Sequence, residues 1–156
     1  MIIPLDENAS QYIAHHLRWT WAREVSSVLQ QYGTPEELTI WANGMANLRN
    51  LPGETICVAK DGVPAVMGGI IQHGHVGSTW LAGTEAVDDV SVEFMRGVLR
   101  LHRNMIAKGV RRFVASVLDG PDELFSWLLK MGYNLEGRHP GVGVHGETFL
   151  TFGKVV

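Results

Sequence analysis

Residues 76–133 decide the fold, and they read VGSTWLAGTEAVDDVSVEFMRGVLRLHRNMIAKGVRRFVASVLDGPDELFSWLLKMGY. Apolar runs of strand length alternate here with amphipathic runs of helix length. The pattern predicts a strand at 76–84, an acidic loop at 85–89, a helix at 91–108, a strand at 112–118 and a helix at 122–131. Repeated β-to-α transitions are typical of α/β proteins, which bind ligands at the carboxyl ends of their strands.

The segment before this stretch predicts a strand at 1–5 and then a helical region that extends as far as Gln31, with a break near 18–20 as an option. Gly33 ends that region. Three residues are able to cap its first helix: Asp6, Asn8 and Ser10. Thr34 predicts the cap of a further helix, because a proline and two glutamates follow it directly.

A meander of strands at 54–60 and 63–74 leads into the strand at 76–84, and Asp61-Gly62 predicts the tight hairpin turn within it. Gly68-Gly69 in the middle strand indicates a bulge or a close backbone approach. Two more strands, at 133–139 and 147–154, close the chain around a glycine-rich loop at 139–146. The predicted order is β-α-α-β-β-β-α-β-α-β-β, in a single domain that spans residues 1–156.

The amino-acid composition and net charge of the chain indicate which classes of binding partner are favoured. The chain has 156 residues, of which 46% are hydrophobic and 19% charged, and its formal net charge is -3. This balance is that of an ordinary globular domain, and it favours neither nucleic acid nor an anionic membrane as a partner. The single cysteine, Cys57, lies in an apolar run and is expected in the core, in a chain suited to a reducing compartment.

The first residues, MIIPLD, lack the basic start and the long apolar stretch of a signal peptide. No apolar run approaches the roughly 20 residues that a membrane helix needs. Together these observations predict a cytoplasmic protein. Histidines at 73 and 75 flank a turn, and a solvated turn is the simpler interpretation than a metal site, which needs a third ligand.

The element order, the Asp61-Gly62 hairpin and a helix that ends in Met131-Gly132-Tyr133 resemble the GNAT (Gcn5-related N-acetyltransferase) family. A narrower resemblance is to small GNAT-like proteins of tailed phages. It rests on Trp127-Leu128 before Gly132, and on the step Gly83-Thr84-Glu85 at the end of a strand. The resemblance implies an α/β (α+β) fold with a central mixed, mostly antiparallel sheet of about six or seven strands.

The same resemblance implies binding of acetyl-CoA as co-substrate between the fourth and fifth strands, and acetyl transfer to the amine of a small molecule or a protein. The pantetheine arm would pair with the end of the fourth strand, at Leu81, Ala82 and Gly83. The pyrophosphate would lie at the start of the next helix, at Val90 and Ser91, where free N–H groups and the helix dipole favour anions.

Three further assignments complete this predicted site. Arg96, on the helix after the acidic loop, is a candidate for a phosphate contact, with a solvated helix face as its alternative. Glu85 and His75 are candidates for the general base, since each falls near an end of the fourth strand. Family members of this kind often dimerise through their last strands, so the strand at 147–154 is a candidate homodimer edge.

The chain departs from the family pattern at the chemistry. The family's phosphate loop is Arg/Gln-x-x-Gly-x-Gly/Ala, whereas residues 85–91 read EAVDDVS, with three carboxylates and no glycine. Leu128 stands where many members have a tyrosine acid, and Pro121 where an asparagine is frequent. These departures leave two hypotheses: an acyl-CoA-dependent N-acetyltransferase, or a non-catalytic GNAT-fold phage protein of the virion, of assembly or of host interaction.

Overall fold

The computed structural model describes residues 1–29, 34–120 and 122–156, so the predictions made for Gln31, Gly33 and Pro121 lie outside the described residues. The elements follow one another in this order: β1 Ile2–Ile3, α1 Glu7–His15, α2 Trp19–Ser26, α3 Pro35–Asn47, β2 Gly53–Lys60, β3 Val63–His73, β4 Val76–Gly83, α4 Val87–Ala107, β5 Arg112–Leu118, α5 Asp122–Lys130, β6 Asn134–His139 and β7 Phe149–Val155. A single 3₁₀ turn, Leu48–Asn50, follows α3.

The strands form one seven-stranded sheet in the order β1-β2-β3-β4-β5-β7-β6. Neighbouring strands run antiparallel except β4 and β5, which are parallel. The α4 crossover lies between these two strands, as a parallel connection requires. This is the mixed, mostly antiparallel sheet that the resemblance implied.

Local chemistry explains the turns and caps. Asp6 is the residue that caps α1, since its side chain accepts a hydrogen bond from the Ala9 N–H at 2.8 Å. Thr34 caps α3 in the same way, through the Glu37 N–H. Asp61 and Gly62 both have positive φ, at 50° and 80°, which is the backbone of a type I′ hairpin turn.

Gly68 and Gly69 mark a close approach on each face of β3. A Cβ at Gly68 would lie 3.1 Å from the Phe94 ring of α4, and one at Gly69 would lie 3.0 Å from the Trp80 indole nitrogen. The two glycines therefore make room for an aromatic ring above and below the sheet. The register of β3 is continuous at this point, and the irregularity in the meander lies instead between Val58 and Ala59 of β2.

The two faces of the sheet carry different helices. Gly68 and its register partner Leu81 face α4, whereas Gly69 and its partner Trp80 face the opposite side, because successive residues of a strand alternate. Helix α5 shares the α4 face, since the Trp127 ring lies 6.1 Å from that of Phe94. Helices α1 and α3 pack against each other and cover the other face.

One option for the element boundaries is confirmed, and two predictions need correction. The helical region before residue 30 is two helices, as the optional break near 18–20 allowed, and the break lies at 16–18, where Leu17 forms a β-bridge with Thr84. Helix α4 begins at Val87, not at residue 91, so Asp88 and Asp89 lie in its first turn. Strand β7 lies between β5 and β6, so the edge of the sheet on this side is β6 and not the strand predicted at 147–154.

Candidate active site between two splayed strands

Strands β4 and β5 are paired only along the first part of their length and then diverge. Their parallel pairing covers Val76 to Ser78 on β4 and ends at the pair Ser78↔Val114. Both strands continue, β4 to Gly83 and β5 to Leu118, without pairing to each other. The result is a fork that opens toward the carboxyl ends of both strands, where α/β proteins bind their ligands.

A cavity of about 300 Å³ occupies this fork. Most of its wall is apolar, and the polar side chains that line it are Glu24, Thr79 and Ser116. The other lining residues come from both strands and from α2, α3, α5 and β7: Trp21, Val25, Val28, Trp41, Met45, Trp80, Leu81, Ala82, Ala115, Val117, Leu124, Trp127, Leu128 and Phe149. The volume lies at the low end of the range for sites that bind small molecules.

Helix α2 spans the open end of the fork and contacts both strands. Before its first turn, the Arg18 backbone N–H donates to the Gly83 carbonyl of β4 at 2.9 Å. Six residues further on, the Glu24 carboxylate accepts a hydrogen bond from the Leu118 N–H of β5 at 3.0 Å. The helix is thus held at the end of each strand, and its side chains close the cavity on that side.

Glu24 is the ionisable side chain in the cavity wall. Its Oε1 takes the Leu118 N–H, and its Oε2 has no hydrogen bond to any residue that the structure describes. Burial raises the pKa of Glu24 to about 7, although the Leu118 N–H favours the carboxylate and opposes that rise. A carboxyl group that titrates near neutral pH in a cleft is suited to accept a proton.

The direction of the backbone N–H and C=O groups alternates along β4, and those of Leu81 face the fork. The Thr84 N–H donates to the Ala65 carbonyl of β3, so the backbone groups of Thr84 face β3. Those of the preceding residue, Gly83, face the fork, and the Gly83 carbonyl accepts a hydrogen bond from the Arg18 N–H. By the same alternation, the backbone of Ala82 faces β3 and that of Leu81 faces the fork. Of the three predicted pantetheine positions, Leu81 therefore has its N–H and C=O directed into the cavity region.

A buried polar chain marks the point at which the strands part. Thr79 is the first residue of β4 beyond the paired segment, and its hydroxyl lies 2.7 Å from the Tyr133 hydroxyl. The Tyr133 hydroxyl in turn lies 2.8 Å from His102 Nε2, while His102 Nδ1 contacts the Val98 carbonyl at 2.8 Å. Since a carbonyl only accepts, Nδ1 carries the proton and Nε2 accepts from Tyr133.

The proton positions in the other hydrogen bonds of this polar chain follow from that assignment. The Tyr133 proton goes to His102, so the Thr79 hydroxyl donates to Tyr133 and keeps its lone pairs free for the cavity. Burial lowers the pKa of His102 and raises that of Tyr133 to about 12, so both groups are neutral at neutral pH. Thr79 is thereby held as a hydrogen-bond acceptor in the cavity wall.

Backbone N–H groups at the start of α4 donate hydrogen bonds to oxygen atoms of the same segment. The Ala86 N–H donates to the Thr84 hydroxyl, the Val87 N–H to the Thr84 carbonyl and the Asp89 N–H to the Ala86 carbonyl. Of the two residues predicted at the pyrophosphate, Val90 is buried and packs into the core, whereas the Ser91 hydroxyl donates to the Asp88 carbonyl. The carboxylates in this turn are favourable to the helix because they lie at its positive end.

Arg18 neutralises much of the acidic region. Its guanidinium contacts Asp88 at 2.9 Å, Glu123 of α5 at 3.2 Å and Glu85 at 3.6 Å, and its side chain is 20% exposed. The hydrogen bond to Asp88 is the main cause that raises the pKa of Arg18. Asp89, the remaining acid of this region, pairs with Lys60 at 2.5 Å. We call Arg18, Glu85, Asp88 and Glu123 the Arg18 cluster.

The remaining predicted site residues lie in different places. Glu85 belongs to the Arg18 cluster, with a side chain that is 75% exposed, and does not line the cavity. His75 precedes β4, at the closed end of the fork, where its Nδ1 contacts the Gly109 carbonyl. Arg96 lines a surface groove beside Ile2, about 13 Å along α4 from the first residue of that helix.

Sequence reasoning missed Glu24, Thr79 and Arg18 as members of the site. Glu24 is separated from its partner Leu118 by 94 positions, and neither lies in a motif. The one available signal was the glutamate between Trp21 and Val25, which interrupts the apolar face of a helix. In the part of the chain that the structure describes, no three His, Cys, Asp or Glu side chains are grouped as a metal site requires, and no helix is long and apolar enough to cross a membrane.

Comparison with solved structures finds the same fold in acetyltransferases. An N-acetyltransferase from Staphylococcus aureus superposes with a TM-score of 0.72 at 14% identity, over 99% of this chain and 97% of that one. A GNAT phosphinothricin acetyltransferase from Sinorhizobium meliloti, solved with AcCoA, gives 0.72 at 10% identity, over 100% and 88%.

A ribosomal-protein-alanine N-acetyltransferase from Brucella melitensis gives a TM-score of 0.70 at 12% identity, over 100% of this chain and 99% of that one. No protein-family profile matches the sequence, and no curated protein resembles it significantly. At such identities the likeness shows the fold, which is that of the GNAT acetyltransferases.

Proposed function

We propose, from the GNAT fold of this chain, that it is an acetyl-CoA-dependent N-acetyltransferase whose acyl group enters the fork between β4 and β5. The observation that carries the proposal is Glu24 in the wall of the cavity that fills this fork, with one carboxylate oxygen free of protein partners among the described residues. A cleft with a carboxyl group that titrates near neutral pH is the arrangement that amine deprotonation needs.

The donor would use backbone groups that the chain leaves free. Leu81 directs its N–H and C=O toward the fork, so it is the position at which the amides of a pantetheine arm can pair with β4. The thioester would then lie among the apolar side chains of the cavity. The pyrophosphate would approach the start of α4, where Arg18 contacts Asp88 and would exchange this carboxylate for a phosphate.

The chemistry needs one base. An ammonium acceptor gives a proton to the Glu24 carboxylate, and the resulting free amine attacks the thioester carbonyl carbon. The C–N bond forms, the C–S bond breaks, and the nitrogen passes its second proton to the departing thiolate, while Glu24 releases the first proton to solvent. The departing thiolate needs little help from an acid, because a thiol has a pKa of about 8.5. The absence of a tyrosine at Leu128 is therefore compatible with transfer.

Acetyl-CoA binding tests the first half of this proposal. At a concentration about 100 times the Kd, the ligand stabilises the protein by about 2.7 kcal/mol, which for this size raises the melting temperature by about 5–10 °C. The measurement is thermal melting with acetyl-CoA and, as control, with adenosine 3′,5′-bisphosphate, which lacks the pantetheine arm. A melting temperature that does not move with millimolar acetyl-CoA would overturn the proposal.

Glu24→Gln tests the second half. The amide keeps the shape and still accepts the Leu118 N–H, but it cannot take a proton, so we expect kcat/KM to fall about a hundredfold or more. In the parent protein kcat/KM should rise with pH through about 7, and this rise should be lost in the variant. Glu36→Gln, on the exposed first turn of α3, is the matched control and should leave the rate unchanged.

A second candidate function rests on a different observation. The Arg18 cluster joins α2 to the starts of α4 and α5, and the Gly83 carbonyl is already paired, so the chain itself satisfies the region where a cofactor phosphate would lie. This favours a non-catalytic GNAT-fold protein, such as a phage virion, assembly or host-interaction component. The test is purification from cells: a protein that carries bound CoA contradicts this candidate, and a stable protein partner without CoA supports it.

A further inference from the structure

We infer that the acceptor is a primary amine on a compact apolar, preferably aromatic, body, which the tryptophan-lined part of the fork encloses while Glu24 holds its ammonium group. The inference rests on the proposed acetyl transfer and names its acceptor class. It excludes strongly polar acceptors such as polyamines, aminosugars and lysine side chains.

The first support is the composition of the cavity wall. Four of the five tryptophans of the chain line this one cavity: Trp21, Trp41, Trp80 and Trp127. They come from α2, α3, β4 and α5, so they surround the space from several directions. An aromatic wall favours flat apolar bodies by area and by ring contacts, and a nearby cation is attracted to the ring faces.

The second support is the kind of polar group in the cavity. Glu24 Oε2 is an acceptor without a partner among the described residues, and Thr79 is held as an acceptor because its proton goes to Tyr133. A carboxylate oxygen of this kind suits a group with several N–H donors, and a primary ammonium has three. Among the described residues, the lining side chains include no Lys, Arg or His that would repel a cation.

The third support is the cost of the alternatives. The cavity is about 300 Å³, a volume that suits a small ligand. A hydroxylated aminosugar or a polyamine would bury several further donors or charges against tryptophan and leucine, where few partners exist for them. Each buried polar group without a hydrogen bond weakens binding, so such acceptors are rejected by desolvation.

The test uses three probes of matched size with the whole protein. 2-Phenylethylamine has the ring and the ammonium group, 2-phenylethanol has the ring alone, and spermidine has ammonium groups alone. Calorimetric titration should show 2-phenylethylamine binding at least tenfold tighter than either of the others. Equal or tighter binding of spermidine would overturn the inference, and so would equal binding of the alcohol.

A variant assigns the recognition to Glu24. In Glu24→Gln, the preference for 2-phenylethylamine over 2-phenylethanol should disappear, while the affinity for the alcohol stays within about twofold. Glu36→Gln should retain the preference in full. A preference that survives Glu24→Gln overturns the role of Glu24, and the three-probe comparison in the parent protein decides the acceptor class without any variant.

The results with acetyl-CoA and with 2-phenylethylamine distinguish the acceptor class from the acetyltransferase proposal. If acetyl-CoA raises the melting temperature but 2-phenylethylamine neither binds nor yields a free thiol with acetyl-CoA, the transferase proposal stands and the acceptor class is wrong. If 2-phenylethylamine binds with the expected preference and acetyl-CoA does not bind, the transferase proposal fails and the cavity is an amine-binding site.

Discussion

At the scale of single residues, Glu24 combines a candidate role in catalysis with a cost in stability. Its pKa of about 7 in the folded protein lies above the ordinary value of 4.5, because burial penalises the carboxylate. The folded state therefore holds its proton more tightly than the unfolded state. Any stability that this difference contributes is present below about pH 4.5 and is lost as the pH rises through 7.

We expect Glu24→Gln to be more stable than the parent protein above pH 7, by about 2 kcal/mol once partial exposure is allowed for. The difference should shrink toward zero near pH 5, where the parent carboxyl is protonated. Urea unfolding of both proteins at pH 5, 6.5 and 8 measures it. A variant that is less stable at every pH would contradict this account of the burial.

The Thr79–Tyr133–His102 chain makes a second prediction at this scale. Tyr133→Phe removes the hydroxyl that pairs with both Thr79 and His102 and leaves two buried polar groups without partners. We expect a loss of about 1–3 kcal/mol in the free energy of unfolding, measured in urea. Tyr12→Phe is the control, since Tyr12 is partly exposed, and it should change stability by less than about 0.5 kcal/mol.

At the scale of elements, the first turn of α4 decides how well an anion can approach the fork. The turn carries Asp88 and Asp89, with Glu85 just before it, and the Arg18 side chain is engaged by Glu85 and Asp88. The carboxylates stabilise the helix end and, at the same time, repel a phosphate from the same place. The acidic first turn thus increases the stability of the helix end and lowers the affinity of the same place for an anion.

Neutralising two of these acids should strengthen acetyl-CoA binding. At about 6 Å in water, each unit charge contributes about 0.7 kcal/mol, so Glu85→Gln with Asp88→Asn should raise the affinity about tenfold at low salt. The gain should fall as salt is added, because these side chains are exposed. Calorimetry at two salt concentrations measures it, and an affinity that is unchanged or reduced would place the phosphate elsewhere.

At the scale of the whole molecule, the fork is a gap in an otherwise continuous sheet. Backbone groups of β4 and β5 beyond Ser78 and Val114 lack each other as partners, and the space between them is a cavity instead of packed side chains. Interiors are normally close-packed, so a space of this size lowers stability relative to a filled one. Such a cost is typical of a site that is kept open for a ligand.

Filling this gap should stabilise the protein and remove its function. Ala115 is buried on β5 and lines the cavity, so Ala115→Leu places added methyl groups in empty space. We expect unfolding to cost about 1 kcal/mol more and the binding of 2-phenylethylamine to weaken at least tenfold. Ala107→Leu, on the exposed end of α4, is the control and should alter neither quantity, as unfolding and titration will show.

The order of strands and helices was readable from the sequence because its causes are local. Alternation and helical periodicity, the Asp61-Gly62 turn and the Thr34 cap each depend on residues a few positions apart. The prediction of β5 is confirmed on that basis, whereas the sheet type, also confirmed, was implied by the family resemblance. The boundary of α4 was missed because Asp88 and Asp89 were interpreted as a loop, although acids also suit the first turn of a helix.

The sequence by itself determined the order of the elements, the hairpin and the position of the fourth strand. Only the tertiary structure decided which side chains meet there. It separated α1 from α2 through the Leu17–Thr84 bridge and set α2 across the fork. By doing so it brought Glu24 to Leu118 and Arg18 to the start of α4. Pattern reflects neighbours along the chain, whereas these contacts arise from packing between residues far apart in it, which no local periodicity records.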